Sequence, residues 1–277
     1  MAMSGERAAP PASMVDDRRP GLGDYAVQTF AVAAAEVQKL YHDPLELLTR
    51  AVQPVLWLVL FGEVMARVRG VAPGDIPYLD FLAGGILAQS ALFVAIFYGI
   101  AAIWERDLGV LQRYLVSPAP RSALVLGKAM SAGVRALSQA FIVYILALLL
   151  GVGIDLHPLS ILGVAAAIVV GSALFATLSL IIACIVRTRE RFMGIGQVLT
   201  MPIFFASNAI YPLSLMPHWL NIVSHGNPLT YEVDVLRALM LVKGTSEYGL
   251  PLDFAILLAT TAVLTTIAAK MYGRMGY

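Results

Sequence analysis

The sequence predicts an all-α, polytopic membrane protein with six transmembrane helices, an N-terminal amphipathic interfacial helix and short re-entrant helices on the outer side. Three observations predict it. The first is composition: of 277 residues, 59% are hydrophobic and only 13% charged, with a mean hydropathy of +0.78. A soluble domain is nearer half apolar and about a quarter charged, and one core cannot hide that much apolar surface. The second is run length. Six stretches are apolar for about 20 residues, enough to cross about 30 Å of hydrocarbon as helices whose backbone groups are satisfied internally. The third is charge placement. If the N-terminus is cytoplasmic, 14 of the 19 Lys and Arg residues lie in inner segments and 4 in outer ones, which puts both termini in the cytoplasm of a cell membrane.

Residues 1–24 are rich in Ala, Pro, Gly and charge and lack an apolar run, so they read as a disordered cytoplasmic tail and not as a secretory signal. In 25–43, Val27, Phe30, Ala34, Val37 and Tyr41 fall on one helical stripe. This predicts an amphipathic helix in the cytoplasmic interface, or one packed against the bundle. Asp43-Pro44-Leu45-Glu46 then supplies an N-cap, a first-turn proline and a capping-box carboxylate for a new helix.

The six-span domain covers 44–277. Its spans are expected at 47–64, 79–103, 124–154, 159–186, 194–213 and 252–272, with kinks at Pro54 and Pro202. Between spans two and three, the cytoplasmic loop 105–121 has its own pattern. Leu108, Leu111 and Leu115 share a helical face, and Ser117-Pro118-Ala119-Pro120 ends it. This short helix suits docking in a partner's groove or packing on its own bundle. The outer segment 214–251 is too long for a hairpin and too apolar for a free loop. Two short helices are expected there, around 219–223 and 230–242, dipping into the outer leaflet with Trp219 and Tyr231 at the interface.

Several chemistries are excluded. Gly127-Lys128-Ala129 lacks the upstream glycine and the hydroxyl residue of a phosphate-binding loop, so this chain does not itself bind ATP through one. His42, His157, His218 and His225 are scattered, no acidic residue adjoins His218 and His225, and Cys184 stands alone; no metal site and no catalytic residue is assigned. The net charge of +1 argues against nucleic acid. Ionisable groups inside spans are functional candidates by default, and Arg135 leads them. Lys128, Ser131, Arg135 and Ser138 form a polar stripe, placed in the hydrocarbon or in the headgroup layer. Gln89, Ser90 and Asn208 are polar groups deep in spans two and five.

Two motifs then carry a family resemblance. ERDLGVLQRYLVSPAPRSALVLGK (105–128) has a charged start, a glycine, leucines, a proline break, an arginine and Gly-Lys. NAIYPLSLMPHWLNIVSHGNPLTYEVDVLR (208–237) places Tyr211-Pro212, Met216-Pro217, Trp219-Leu220, Asn227-Pro228, Tyr231, Asp234 and Arg237 in order. The chain resembles type-2 ATP-binding-cassette export permeases, the group of daunorubicin-exporter and nodulation-factor-exporter membrane subunits. Val110-Leu111-Gln112 departs from the Thr-Leu-Glu of many relatives.

The resemblance implies a homodimer, or a dimer with a similar subunit, embedded in membrane lipid and bound to a separate ATPase that carries ATP and Mg. It makes Glu105, Arg106, Leu108, Gly109, Leu111 and Arg113 the ATPase-docking residues of a coupling helix. Gln89, Phe93, Phe97, Phe204, Phe205 and Asn208 are the expected cargo path. Sparsely charged, aromatic spans suit a hydrophobic or amphipathic cargo: a drug, an antibiotic or a lipid-like metabolite. The alternatives are export of a polysaccharide or glycolipid, which needs a wider polar channel, and a membrane scaffold or membrane-embedded enzyme. The inner loops lack the clustered Asp, Glu and His that an enzyme of that kind needs.

Overall fold

In a computed structural model, residues 52–68, 76–108, 121–186 and 188–272 are described. The expected tail 1–24, the amphipathic helix 25–43 and the helix start at Asp43 lie outside them. So do Gly109, Leu111 and Arg113.

The described residues form helices joined by turns, with one isolated antiparallel bridge between Ile154 and Leu241. Helix α1 is Val52–Ala66, whose middle, Leu56–Gly62, is wound as a π-helix just after Pro54. Proline cannot donate a backbone hydrogen bond, and the irregular winding follows it directly. The helices α2 (Tyr78–Asp107), α3 (Arg121–Leu149) and α4 (Pro158–Ile185) form the central layer, and α5 (Arg189–Phe205) packs on α2. Two short helices follow, α6 (His218–His225) and α7 (Pro228–Met240), then α8 (Leu250–Tyr272). Among the described residues, four helices, α2, α3, α4 and α8, are long and apolar enough to cross a membrane.

Two expected spans are shorter in the structure. The third ends at Leu149 and not at Ile154. Gly151 adopts φ +78°, Val152 donates to Ala147 O at 3.0 Å and Gly151 to Leu148 O at 3.1 Å. That is a Schellman stop, and glycine is the residue that reaches this conformation without strain. The fifth ends at Phe205 and not at Leu213. Pro202 sits in its last turn, and the Ser207 hydroxyl donates to Phe204 O at 2.7 Å while accepting from Ala209 N at 3.2 Å. At 1.5 Å per residue, the 17 residues of α5 reach about 25 Å.

Helix starts follow local chemistry. His157 accepts from Leu159 N ahead of Pro158 in α4, Thr188 accepts from Arg191 N in α5, and Asn227 accepts from Leu229 N ahead of Pro228 in α7. Each is a side-chain acceptor for an otherwise orphaned helical N–H. The main core joins α2, α3, α4 and α7. A smaller apolar cluster, including Ile103, Val125, Leu180 and Phe192, closes the end where α2 and α4 finish.

Helix α6 covers the short helix expected around 219–223, with Trp219 66% exposed. Helix α7 differs from expectation: it is packed into the bundle on nearly every side and contacts α2, α4 and α8. Tyr231 is therefore buried within the protein. Its hydroxyl donates to His225 O at 2.7 Å, and its ring packs on Tyr248 with centroids 5.2 Å apart.

Candidate functional site

Three places gather the singled-out residues. The first is a seam where α7 enters the bundle. Gly85 of α2 lies so close to Ala209 that a Cβ would press into its carbonyl, which lets the chain 206–210 lie on α2. Tyr78 then donates to Ile210 O at 2.9 Å. Arg237 reaches from α7 into the same seam. Its Nε donates to Phe81 O at 2.9 Å, and one terminal nitrogen donates to Asn208 O at 2.6 Å and Ala209 O at 3.0 Å. The guanidinium lies 3.4 Å from the Phe81 ring centroid. Burial lowers the Arg237 pKa to about 9, opposed by the charge of Asp234.

Asp234, one turn earlier and near enough for its charge to act on Arg237, has other hydrogen-bond partners. Its Oδ2 accepts from Glu247 N at 2.7 Å, Tyr248 N at 3.2 Å and the Ser246 hydroxyl at 3.0 Å. Ser246 also reaches Asp253 Oδ2 at 2.8 Å and accepts from Gly249 N at 2.6 Å. The motif residues Asp234 and Arg237 thus pin α7 to the start of α8 on one side and to α2 on the other. Asn227 adds a third point through its amide, which donates to Ile203 O of α5 at 2.6 Å. Tyr211 donates to Phe205 O, and Pro212 opens the turn Leu213–Leu215.

Glu232, between these anchors, was not singled out from sequence. It is fully buried, with both carboxylate oxygens unpartnered among the described residues. It lies against Gly171 of α4, where a Cβ would collide with the carboxyl group. Burial pushes its carboxyl well above the usual glutamate range. A buried acid without partners stays neutral, since ionising it there is costly.

The second place is the C-terminal end of α2. Lys128 of α3 donates to Glu105. Arg106 donates to Val186 O, at the end of α4, at 3.3 Å. Asp107 pairs with Arg189 of α5 at 2.9 Å, and that guanidinium lies 3.6 Å from the Trp104 ring centroid. Two expected docking residues, Glu105 and Arg106, therefore bind their own bundle. Leu108, 68% exposed, presents its side chain outward.

The third place is a cavity of about 660 Å³ between α1, α2 and α3. Phe93 and Phe97 stand in its wall, 6.0 Å apart. The other expected path residues do not join them. Gln89 is buried with its amide nitrogen unpartnered among the described residues. Phe204 is buried 5.6 Å from Trp57, Phe205 is half-exposed, and Asn208 belongs to the seam. Phe93 and Phe97 lie one turn apart on one face of α2. Arg135 joins them from α3, which no spacing in the chain could reveal.

Comparison with known proteins agrees with the elements described. The ABC-2 type transporter family matches residues 27–241. The chain is similar to ycf38 of Cyanophora paradoxa, described as a transport permease, at 31% identity over 73% of this chain and 70% of that protein. It is similar to the daunorubicin resistance ABC transporter permease protein DrrB1 of Streptomyces coeruleorubidus, at 22% identity over 84% and 80% of the two chains. Nodulation protein J of Rhizobium leguminosarum bv. viciae is 26% identical over 68% and 72%. With several apolar helices long enough to span and a match covering most of its length, this multi-pass chain belongs to the ABC-2 type transporter family, whose members are transport permeases and not themselves enzymes.

Proposed function

We propose that this chain is the membrane subunit of an ATP-driven exporter that moves a hydrophobic or amphipathic compound out of the cell. Two permease subunits, identical or similar, work with a separate ATPase that binds ATP and Mg. The chain lies in the cell membrane with both termini cytoplasmic, and α1 and α5 complete six spans. Residues 105–121 form the contact with the ATPase.

One observation carries this reading. The last turn of α2 is tied to α3, α4 and α5 by Glu105–Lys128, Arg106–Val186 and Asp107–Arg189. A displacement of the segment that follows α2 is thereby delivered to three further helices at once. That is the mechanical requirement for coupling: ATP binding must favour one helix arrangement over another. Leu108, the exposed residue at the end of this clamp, suits an apolar groove on the ATPase.

The test is co-reconstitution of the chain with an ATP-binding-cassette ATPase from the same cell. ATP-dependent accumulation of an amphipathic dye in inside-out vesicles is expected. A Leu108→Cys chain should crosslink to the ATPase after Cys184→Ser removes the native thiol. ATP-independent dye movement together with no crosslink would sink the assignment.

A further inference from the structure

We propose that a second cavity, between α7, the start of α2 and the segment 244–247, binds a small zwitterion: an ammonium joined by a short link to a carboxylate or phosphate. Arg237 receives the anionic end, and Glu247 and Asp234 receive the ammonium. The proposal is independent of the exporter reading. It gives a ligand to residues described so far only as anchors of α7.

The cavity measures about 210 Å³. Sites for drug-sized ligands run from roughly 300 to 1,000 Å³, so this one suits a smaller group. Its polar lining includes Asn208, Ser214, Asp234, Arg237, Thr245 and Glu247. Asn208, Asp234 and Arg237 are only 1%, 3% and 7% exposed, so these side chains are set into the wall and do not swing in solvent. A few fixed polar groups converging on a small space orient a ligand. The hydrogen bonds leave atoms for one. Arg237 spends Nε and one terminal nitrogen on three backbone carbonyls, and its other terminal nitrogen takes no part in these bonds. Asp234 receives its three donors on Oδ2 and none of them on Oδ1. The Asn208 amide oxygen is buried with no partner among the described residues.

Charge decides the class. Arg237 is anchored to Phe81, Asn208 and Ala209, and Asp234 to the segment 246–248. Both signs therefore meet in one cavity. A lone anion drawn to Arg237 also meets Asp234 and Glu247. A lone cation drawn to the two acids also meets Arg237. A ligand that carries both signs gains at each end. A metal ion fits poorly, since no group of three possible protein ligands gathers among the described residues. Partial burial, then the charge of Asp234, raises the Glu247 pKa, against the pull of Arg237 and His225. An ammonium beside the two acids relieves that crowding, and the guanidinium holds a carboxylate or phosphate by charge-assisted hydrogen bonds. Free phosphoethanolamine and the phosphatidylethanolamine headgroup offer the same pair of charges, so the experiment separates the two sources.

The experiment is calorimetric titration of the purified full chain in an uncharged maltoside detergent, at fixed ionic strength. The probes are phosphoethanolamine and glycine, with ethyl phosphate and ethylammonium as single-sign controls. Saturable binding of a zwitterion is expected, at least about tenfold tighter than either control, and the better of the two zwitterions assigns the anion as phosphate or carboxylate. Glu247→Gln should weaken that zwitterion about tenfold, the loss expected of one charge-assisted contact. Glu247 is exposed at the cavity edge and its side chain anchors no helix, so the variant should melt at the parent temperature. Lys243→Gln, which removes an exposed charge outside the lining, should change binding less than about twofold. Asp234→Asn should also weaken the zwitterion, and it keeps the test open should the Glu247 variant misfold. Absence of saturable binding for both zwitterions would overturn the proposal. So would a single-sign control that binds as tightly, or full affinity in both Glu247→Gln and Asp234→Asn. Repeating the titration in nanodiscs assigns the source. Binding lost in phosphatidylethanolamine and kept in phosphatidylglycerol supports a lipid headgroup in the cavity, and binding kept in both supports a soluble zwitterion.

Discussion

Arg237 grips Phe81 twice: Nε donates to its carbonyl at 2.9 Å and the guanidinium sits 3.4 Å from its ring centroid. The two residues are 156 positions apart, and their contact holds α7 against the start of α2. Two further carbonyls, of Asn208 and Ala209, share the same guanidinium. Arg237→Ala should cost about 3 kcal/mol, because buried acceptors lose a charged donor and a ring loses its stacking partner. Arg237→Lys should recover less than half of it, since an ammonium cannot fork between carbonyls or stack flat. Thermal unfolding in detergent measures both.

Ser246 bridges Asp234 and Asp253, at 3.0 and 2.8 Å. A hydroxyl has one proton, and this one already accepts from Gly249 N. It satisfies both acids when one of them holds a proton of its own. Ser246→Ala should loosen the strap 245–249 and cost about 1–2 kcal/mol. Faster proteolysis of the outer segment with an unchanged α2–α4 core would be the signature. Asp253→Asn, which can donate to the serine, should be milder than Asp253→Ala.

Glu232 should make the protein less stable as pH rises. Its folded pKa is raised, and the unfolded chain titrates at the ordinary glutamate value. Between those values the folded state holds more protons. Stability is therefore greatest at acid pH and falls as pH climbs from the ordinary glutamate range towards the folded pKa. Glu232→Gln should raise the melting temperature at neutral pH and flatten this slope. A melting profile against pH that is identical in the two proteins would contradict the burial argument.

Gly171→Ala should destabilise more than an ordinary helix-favouring change of this kind. A Cβ there meets the Glu232 carboxyl group, and Gly→Ala within a helix otherwise gains up to about 1 kcal/mol. Glu232→Ala in the same chain should restore stability by removing the obstacle. Non-additive melting temperatures in the double variant would measure the contact.

Asp107 and Arg189 should exchange places. The pair is partly exposed, so Asp107→Arg alone should cost less than about 1 kcal/mol of stability. Its effect on ATP-driven transport should be larger, and combining it with Arg189→Asp should restore transport in part. Restoration is limited because the stack of Arg189 on Trp104 is lost in the double variant.

How much of this was legible in the chain differs from one element to the next. The helices of the central layer follow from apolar run length, and the starts of α4 and α7 from His157-Pro158 and Asn227-Pro228. These are local effects, so neighbouring residues suffice to specify them. The two misplaced span ends were also local. Gly151 and Ser207 carry the stops, but apolar residues continue past both, and run length alone reads through a hydrogen-bonded turn.

The sequence by itself determined the membrane-spanning helical class, the asymmetry of charge and the two motif segments. It did so because hydropathy, charge and capping act between a residue and its solvent or its near neighbours. The tertiary structure decided what the motif residues do. Tyr231 is drawn inside, Asp234 and Arg237 tie one helix to two different neighbours, and Glu105 and Arg106 turn to their own bundle. It also set Arg135 opposite the rings of α2. Those contacts join residues up to 156 positions apart. Such a pairing comes from helices packing in three dimensions, and spacing along the chain carries no record of it.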